Sequence, residues 1–135
     1  MTDRELLNQA LIAREAAYAP YSGYRVGAAL LSVNGTVYTG CNMENASYSA
    51  TLCAERAAFS AAIGAGERAF RAIAIAGGKG RKADEKVAPC GVCRQVMAEF
   101  VDADFAVIWG NDQVLERHSL EELLPFAFDR KNLED

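Results

Sequence analysis

Histidine is nearly absent from this chain, and so is any long apolar run. His118 is the only histidine; it stands in a charged strand end with Glu116 and Arg117 and is not expected to bind a metal. No apolar stretch approaches the roughly 20 residues that a bilayer-crossing helix needs, so no membrane partner is expected. The start, Met1-Thr2-Asp3-Arg4-Glu5, is charged and lacks the apolar core of a secretory leader. A cytoplasmic location is therefore expected, where cysteines stay reduced and serve as ligands or nucleophiles more than as disulfides. Excess positive charge is missing too: 14 Lys and Arg against 18 Asp and Glu leave a net charge of −4. Nucleic-acid binding ordinarily needs a basic stripe. The basic cluster Lys79-Gly80-Arg81-Lys82 is followed closely by Asp84 and Glu85, reads as a solvated loop, and gives no reason to expect nucleic acid as a partner.

What is present fits one folded domain spanning residues 1–135, with 51% hydrophobic and 24% charged residues. Thr2-Asp3-Arg4-Glu5 has the capping-box pattern, and Leu6, Leu7, Ala10, Leu11, Ala13 and Ala17 recur at helical spacing until Pro20. An aromatic loop over residues 19–24 follows. Asn34-Gly35 between two apolar runs predicts a hairpin, because both residues tolerate positive φ. A polar loop over residues 42–49 leads to a helix expected from about Cys53 to Ile63, stopped by Gly64 and Gly66. Residues 71–76 read as a buried strand. A helix after Pro89 runs to about Phe100, strands follow at 105–109 and 114–117, and Ser119-Leu120-Glu121-Glu122 opens a last short helix. The order α, hairpin, α, β, α, β, β, α predicts an α/β fold. Its expected form is a three-layer α/β/α arrangement with a mixed five-stranded sheet, two of whose strands are parallel across a helix.

The chemistry concentrates in Cys53-Ala54-Glu55-Arg56 and Pro89-Cys90-Gly91-Val92-Cys93-Arg94. Cys90 and Cys93, three apart, share one helix face. At a helix start they meet unpaired N–H groups and the positive end of the helix dipole, both of which favour thiolate. Cys53 opens its own helix in the same way, so two facing helix starts offer a zinc ion three sulfurs and leave one position open, as catalysis requires. Glu55 lies about 200° round the helix from Cys53; the two converge only if the ion sits off the helix end. There the carboxylate can move a proton. Three thiolates overcompensate a dication, and Arg56 and Arg94 are candidates to donate hydrogen bonds to sulfur and draw charge back. Other readings of the same residues are a closed four-cysteine zinc site that includes Cys41, and a redox pair at Cys90 and Cys93. Cys41, at a strand end, is better explained as a small buried hydrophobe.

The pattern Cys-Ala-Glu followed by Pro-Cys-x-x-Cys resembles the zinc-deaminase signature. The sequence is similar over essentially its whole length to the small, homotetrameric cytidine deaminases. The similarity is carried by Tyr18-Ala19-Pro20-Tyr21-Ser22, Val26-Gly27-Ala28-Ala29-Leu30, Gly40-Cys41-Asn42-Met43-Glu44-Asn45, Cys90 to Gln95 and Glu121-Glu122-Leu123-Leu124-Pro125. The resemblance implies one zinc per chain on Cys53, Cys90 and Cys93, with Glu55 as proton shuttle. It implies hydrolytic deamination of cytidine and 2'-deoxycytidine in pyrimidine salvage, water adding at C4 and ammonia leaving. It also implies ribose binding by Asn42 and Glu44, a site lined by Ala46, Tyr48 and Ala54, and a Phe128 lent by a neighbouring subunit to stack on the base. Tyr24 departs from the resemblance, standing where that family usually has Phe. A free pyrimidine nucleoside is the expected substrate, since Glu44 and the lack of a basic cluster by the motif loop offer a phosphate little. Two readings remain as alternatives: a deaminase of a cytosine-bearing nucleoside antibiotic, and a structural zinc module without turnover.

Overall fold

The computed structural model describes residues 1–134. Its sheet has the strand order β2-β1-β3-β4-β5, with β1 Tyr24–Ser32, β2 Val37–Cys41, β3 Phe70–Lys79, β4 Ala106–Gly110 and β5 Leu115–Ser119. All neighbours are antiparallel except β3 and β4, which pair in parallel with Ala72 opposite Ala106. That parallel pair is joined by a helix, as the sequence order requires. The hairpin turns where Asn-Gly demanded it, with Gly35 at φ 93°.

Helices cover both faces. On one, α1 (Asp3–Arg14) packs Leu6, Leu7 and Ala10 against Ala29, Ala74, Ala76 and Ile108. On the other, α2 (Ala54–Gly64) and α3 (Gly91–Phe100) pack Ala58, Phe59 and Met97 against Leu30, Ile73, Ile75 and Val107. The mixed five-stranded α/β/α architecture is the one read from the sequence. Helix α1 ends at Arg14, earlier than its apolar spacing suggested, because the backbone leaves it to bridge Tyr18 to Met43. No helix among the described residues is long and apolar enough to cross a membrane.

Two glycines set how closely helices approach the sheet. A Cβ at Gly27 would lie 2.2 Å from the Ala10 carbonyl oxygen, and one at Gly40 would lie 2.6 Å from both Ala54 O and Ala58 N. The second contact matters for chemistry, because it seats the first turn of α2 directly on β2. The last helix, α4 (Leu120–Leu123), opens with the expected capping box, Ser119 and Glu122 each satisfying the other's backbone N–H.

Candidate metal centre and its surroundings

Cys53 is the N-cap of α2 and Cys90 the N-cap of α3, while Cys93 is the third residue of α3. Neither N-cap side chain caps a backbone N–H of its own helix. The sulfurs turn toward one another: Sγ of Cys53 and Cys90 are 3.8 Å apart, those of Cys90 and Cys93 are 3.5 Å apart, and all three lie within 4.8 Å. Sulfurs 2.3 Å from one tetrahedral zinc stand about 3.8 Å from each other. The spacing therefore fits zinc and is too wide for a disulfide, whose sulfurs bond at about 2.05 Å. Among the described residues this is the one cluster of three such donors. Cys41, half-buried at the end of β2, and His118 on β5 are outside it, so the four-cysteine alternative is not built.

Cys93 is buried, Cys53 half-buried and Cys90 exposed, so the sulfur triangle reaches the surface at Cys90. Charge is shared unevenly. The hydrogen bond from the Cys93 thiol, opposed by burial and helped by Arg56, draws Cys53 down to about 5. Cys93, whose proton Cys53 holds and whose burial disfavours charge, is pushed up. Zinc binding takes thiolates and displaces such protons.

Glu55 is only 5% exposed. Burial raises its carboxyl to about 7; its own backbone N–H and the Cys93 thiol pull against this, and the negative charge of Cys53 adds to it. A carboxyl near half-protonation at neutral pH can both take and give a proton. Arg56 reaches the Cys53 sulfur with Nη2 at 3.4 Å and the Thr51 carbonyl at 3.3 Å. Its Nε is buried without a partner, the only such side-chain atom found among the described residues.

Arg94 is a correction. Its Nε donates to Pro89 O at 2.8 Å and Nη1 to Leu123 O at 2.7 Å, tying α3 to the end of α4 rather than touching sulfur. Its place four residues from Cys90 would allow a sulfur contact, but its guanidinium is taken up by these two carbonyls instead. Arg56, three residues from Cys53, shares its face.

The loops around the centre are held by the polar residues singled out above. Asn42, 8% exposed, donates from Nδ2 to Tyr24 O at 2.8 Å and accepts at Oδ1 from Val26 N at 2.9 Å. One N–H and one lone pair remain to it. Glu44 accepts at Oε1 from Tyr21 N and Ser22 N, and at Oε2 from the Ser22 hydroxyl, and these bonds hold its carboxyl below the usual range. The next residue after Asn42, Met43, bridges Leu52 beside Cys53, so this loop and the first ligand are neighbours. Glu44 lines a groove with Tyr21, Ser22, Asn45, Tyr48 and Thr51. The Tyr48 ring is 77% exposed and edge-on to Tyr21, and Ala46 is also exposed. Ala54 is fully buried against β2. Phe128 projects from the C-terminal segment, 62% exposed, its carbonyl held by Gln95 Nε2 at 2.7 Å. Tyr24 donates its hydroxyl to Asp84 at 3.2 Å; burial first, then Asp84, raises the phenol.

Two residues escaped the sequence reading. Asp84 carried no signal beyond its loop. Arg14 did: it continues the buried face of α1 after Leu6, Leu7 and Ala10, where an arginine is out of place.

Three sulfurs on two helix starts, an open fourth position and a buried carboxyl beside them define a zinc protein equipped for proton transfer. The profile of the cytidine and deoxycytidylate deaminase zinc-binding region matches residues 1–109. The cytidine deaminase of Halalkalibacterium halodurans is 47% identical over 137 residues, covering 98% of this chain and 99% of that protein. That of Sporosarcina psychrophila is 44% identical over 134 residues, covering 98% and 96%. The crystal structure of cytidine deaminase from Burkholderia pseudomallei superposes with a TM-score of 0.87 at 46% identity, covering 95% of this chain and all of that one. The chain belongs to the cytidine and deoxycytidylate deaminase family.

Proposed function

We propose that this protein hydrolytically deaminates cytidine and 2'-deoxycytidine to the corresponding uridines and ammonia, using one zinc held by Cys53, Cys90 and Cys93. The observation that carries the reading is the pairing of a zinc-sized sulfur triangle with the buried carboxyl of Glu55, two residues from the ligand Cys53. Bound there, zinc supplies a Lewis acid that makes water acidic enough to act as hydroxide near neutral pH. Glu55 receives the proton of the attacking water on its carboxylate and returns it to the substrate, whose amino group departs from C4 as ammonia. Arg56 offsets the surplus negative charge of three thiolates.

Asn42, with one donor and one acceptor to spare, and Glu44 face the sugar hydroxyls. Glu44, a carboxylate lining the groove, and the lack of a basic cluster by the motif loop disfavour a 5'-phosphate, so free nucleoside is the substrate. Ala46, Tyr48 and Ala54 belong to the walls, and Tyr24 to the base side. The exposed aromatic segment supports assembly. Phe126 is fully exposed and holds φ 54°, a conformation that costs a bulky residue on the order of 1–3 kcal/mol. With Phe128 beside it, such a segment suits burial against a second copy, and a homotetramer with shared sites is the assembly proposed. Pyrimidine salvage in the cytoplasm is the matching setting, and residues 1–135 act as one domain.

The test is conversion of cytidine to uridine by purified protein, with zinc per chain measured before and after chelation. One zinc per chain, turnover, and loss of both on chelation are expected. A zinc-loaded protein that leaves cytidine untouched sinks the proposal.

A further inference from the structure

Arg14 is a buried cation that the chemistry above leaves unused. It closes α1 on the face packed against the sheet and is 2% exposed. Among the described residues no carboxylate pairs with it. Its guanidinium is satisfied by main chain alone: Nε donates to Arg25 O at 3.0 Å, Nη1 to Arg81 O at 3.2 Å, and Nη2 to Gly78 O at 2.6 Å and Gly80 O at 2.7 Å. A buried charge is costly unless it is hydrogen-bonded, and three of these four bonds converge on the end of β3 and the turn that leaves it. Gly78, at φ 152°, is still paired with Arg25 of β1, whereas Gly80, at φ 75°, lies beyond the strand. Past the last strand pair glycine gives the chain freedom rather than a fixed path, and there Arg14 holds the Gly80 and Arg81 carbonyls.

The turn delivers Asp84. Its N–H bonds back to Gly77 O at 2.6 Å, and its carboxylate accepts the Tyr24 hydroxyl at 3.2 Å. The Tyr24 ring, Val26 and Val87 all close on Gly77: a Cβ there would be 3.0 Å from Cγ2 of Val26 and of Val87, and 3.3 Å from Cε1 of Tyr24. Val87 is three residues before the ligand Cys90, and the Tyr24 carbonyl is held by Asn42. Tyr24 therefore stands between the segment that leads to Cys90 and the loop that carries Asn42.

We propose that Arg14 and Asp84 are positioning residues for the pyrimidine: Arg14 fixes the 78–81 turn, the turn holds Asp84, and Asp84 holds the Tyr24 ring against the base. The inference rests on the deaminase reading and on Tyr24 lining the base pocket. It also accounts for a tyrosine in that wall, because the hydroxyl is spent on Asp84 and the ring presents only its apolar face. A wall that touches substrate and transition state alike changes KM and leaves kcat alone.

The test is steady-state kinetics on cytidine for the zinc-loaded wild type, Arg14→Lys, Asp84→Ala, Tyr24→Phe and the Arg14→Lys/Asp84→Ala double variant. Lysine keeps the charge but cannot reach four carbonyls. Each single variant is expected to raise KM about 3- to 10-fold with kcat within about twofold, and the double variant to be no worse than the worse single one, since both act through one contact. KM effects that multiply in the double variant, or that spare all three single variants, overturn the proposal. Should Arg14→Lys fail to fold, Asp84→Ala and Tyr24→Phe decide alone: matching rises in KM support it and unchanged KM overturns it. A wild type without cytidine turnover fails the deaminase reading first and takes this inference with it; turnover with KM unmoved fails this inference only.

Discussion

Arg56 donates from Nη2 to the Cys53 sulfur at 3.4 Å, while its Nε is buried with no partner. A guanidinium so placed, without a carboxylate partner among the described residues, is balanced by sulfur charge. Three thiolates and a dication sum to −1, and Arg56 brings the centre to neutrality. Arg56→Ala is therefore expected to weaken zinc retention and kcat together, by about 10- to 100-fold, the usual effect of losing a group that supports a metal ligand. Arg56→Lys should restore part of both. Chelator competition and steady-state rates measure this; wild-type values in Arg56→Ala would remove the charge-balancing role.

Glu55 and the cysteines are expected to separate cleanly. Glu55→Gln keeps the shape and the three sulfurs, so zinc should stay at one per chain while kcat falls by at least about 10²- to 10⁴-fold, the usual contribution of general acid–base catalysis. Cys93→Ser, by contrast, should lose the metal. Metal analysis beside the assay distinguishes the two, and a Glu55→Gln variant with wild-type turnover would end the shuttle assignment.

Arg94 should behave unlike Arg56 despite its place next to a ligand. Its bonds run to Pro89 and Leu123 carbonyls. Arg94→Ala leaves those carbonyls without their charged donor, at a cost of about 1–3 kcal/mol. The expected result is a lower melting temperature and a looser C-terminal segment by hydrogen exchange, with zinc per chain unchanged. Loss of zinc without loss of stability would return Arg94 to the metal centre.

These contrasts also mark what could be read from the chain. The sulfur triangle was legible because each cysteine falls at a helix start, where spacing alone constrains direction. Arg56 stood out only as a cation beside the ligand motif; its contact with the Cys53 sulfur follows from its place three residues along from Cys53. Spacing does not separate Arg94 from Arg56, since Arg94 stands four residues from Cys90; what diverts it is the main-chain carbonyls of Pro89 and Leu123, which carry no signal in the sequence. The clamp at Arg14 was hidden in its partners, four carbonyls contributed by residues 25, 78, 80 and 81. Main-chain acceptors carry no residue identity, and only the antiparallel pairing of β1 with β3 brings them to the end of α1. Asn42 was singled out as a sugar ligand; the fold shows that half its hydrogen-bonding capacity first serves to hold β1.

His118, far from the metal centre in role, yields the pH prediction. Its ring stacks on Trp109 with centroids 4.5 Å apart, and its nitrogens meet Glu122 at 3.0 Å and Glu116 at 3.4 Å. The Glu122 contact, opposed by burial and joined by Glu116, raises the imidazole above its usual value. Glu122 is correspondingly held low, first by His118 and then by the Ser119 backbone. A raised histidine stabilises the fold fully below its unfolded value of about 6.5 and loses that contribution as pH rises through the folded value; a lowered glutamate contributes above about 4.3 and loses it as pH falls. The cluster is thus most stabilising between those limits and fades above neutrality. Glu122→Gln should lower the His118 midpoint seen by NMR. The melting-temperature gap between wild type and Glu122→Gln should be widest near pH ~5.5 and close toward pH ~8. A His118 midpoint at or below about 6.5 in the wild type, or a gap that widens with rising pH, would show that the two carboxylates do not hold the proton on this ring.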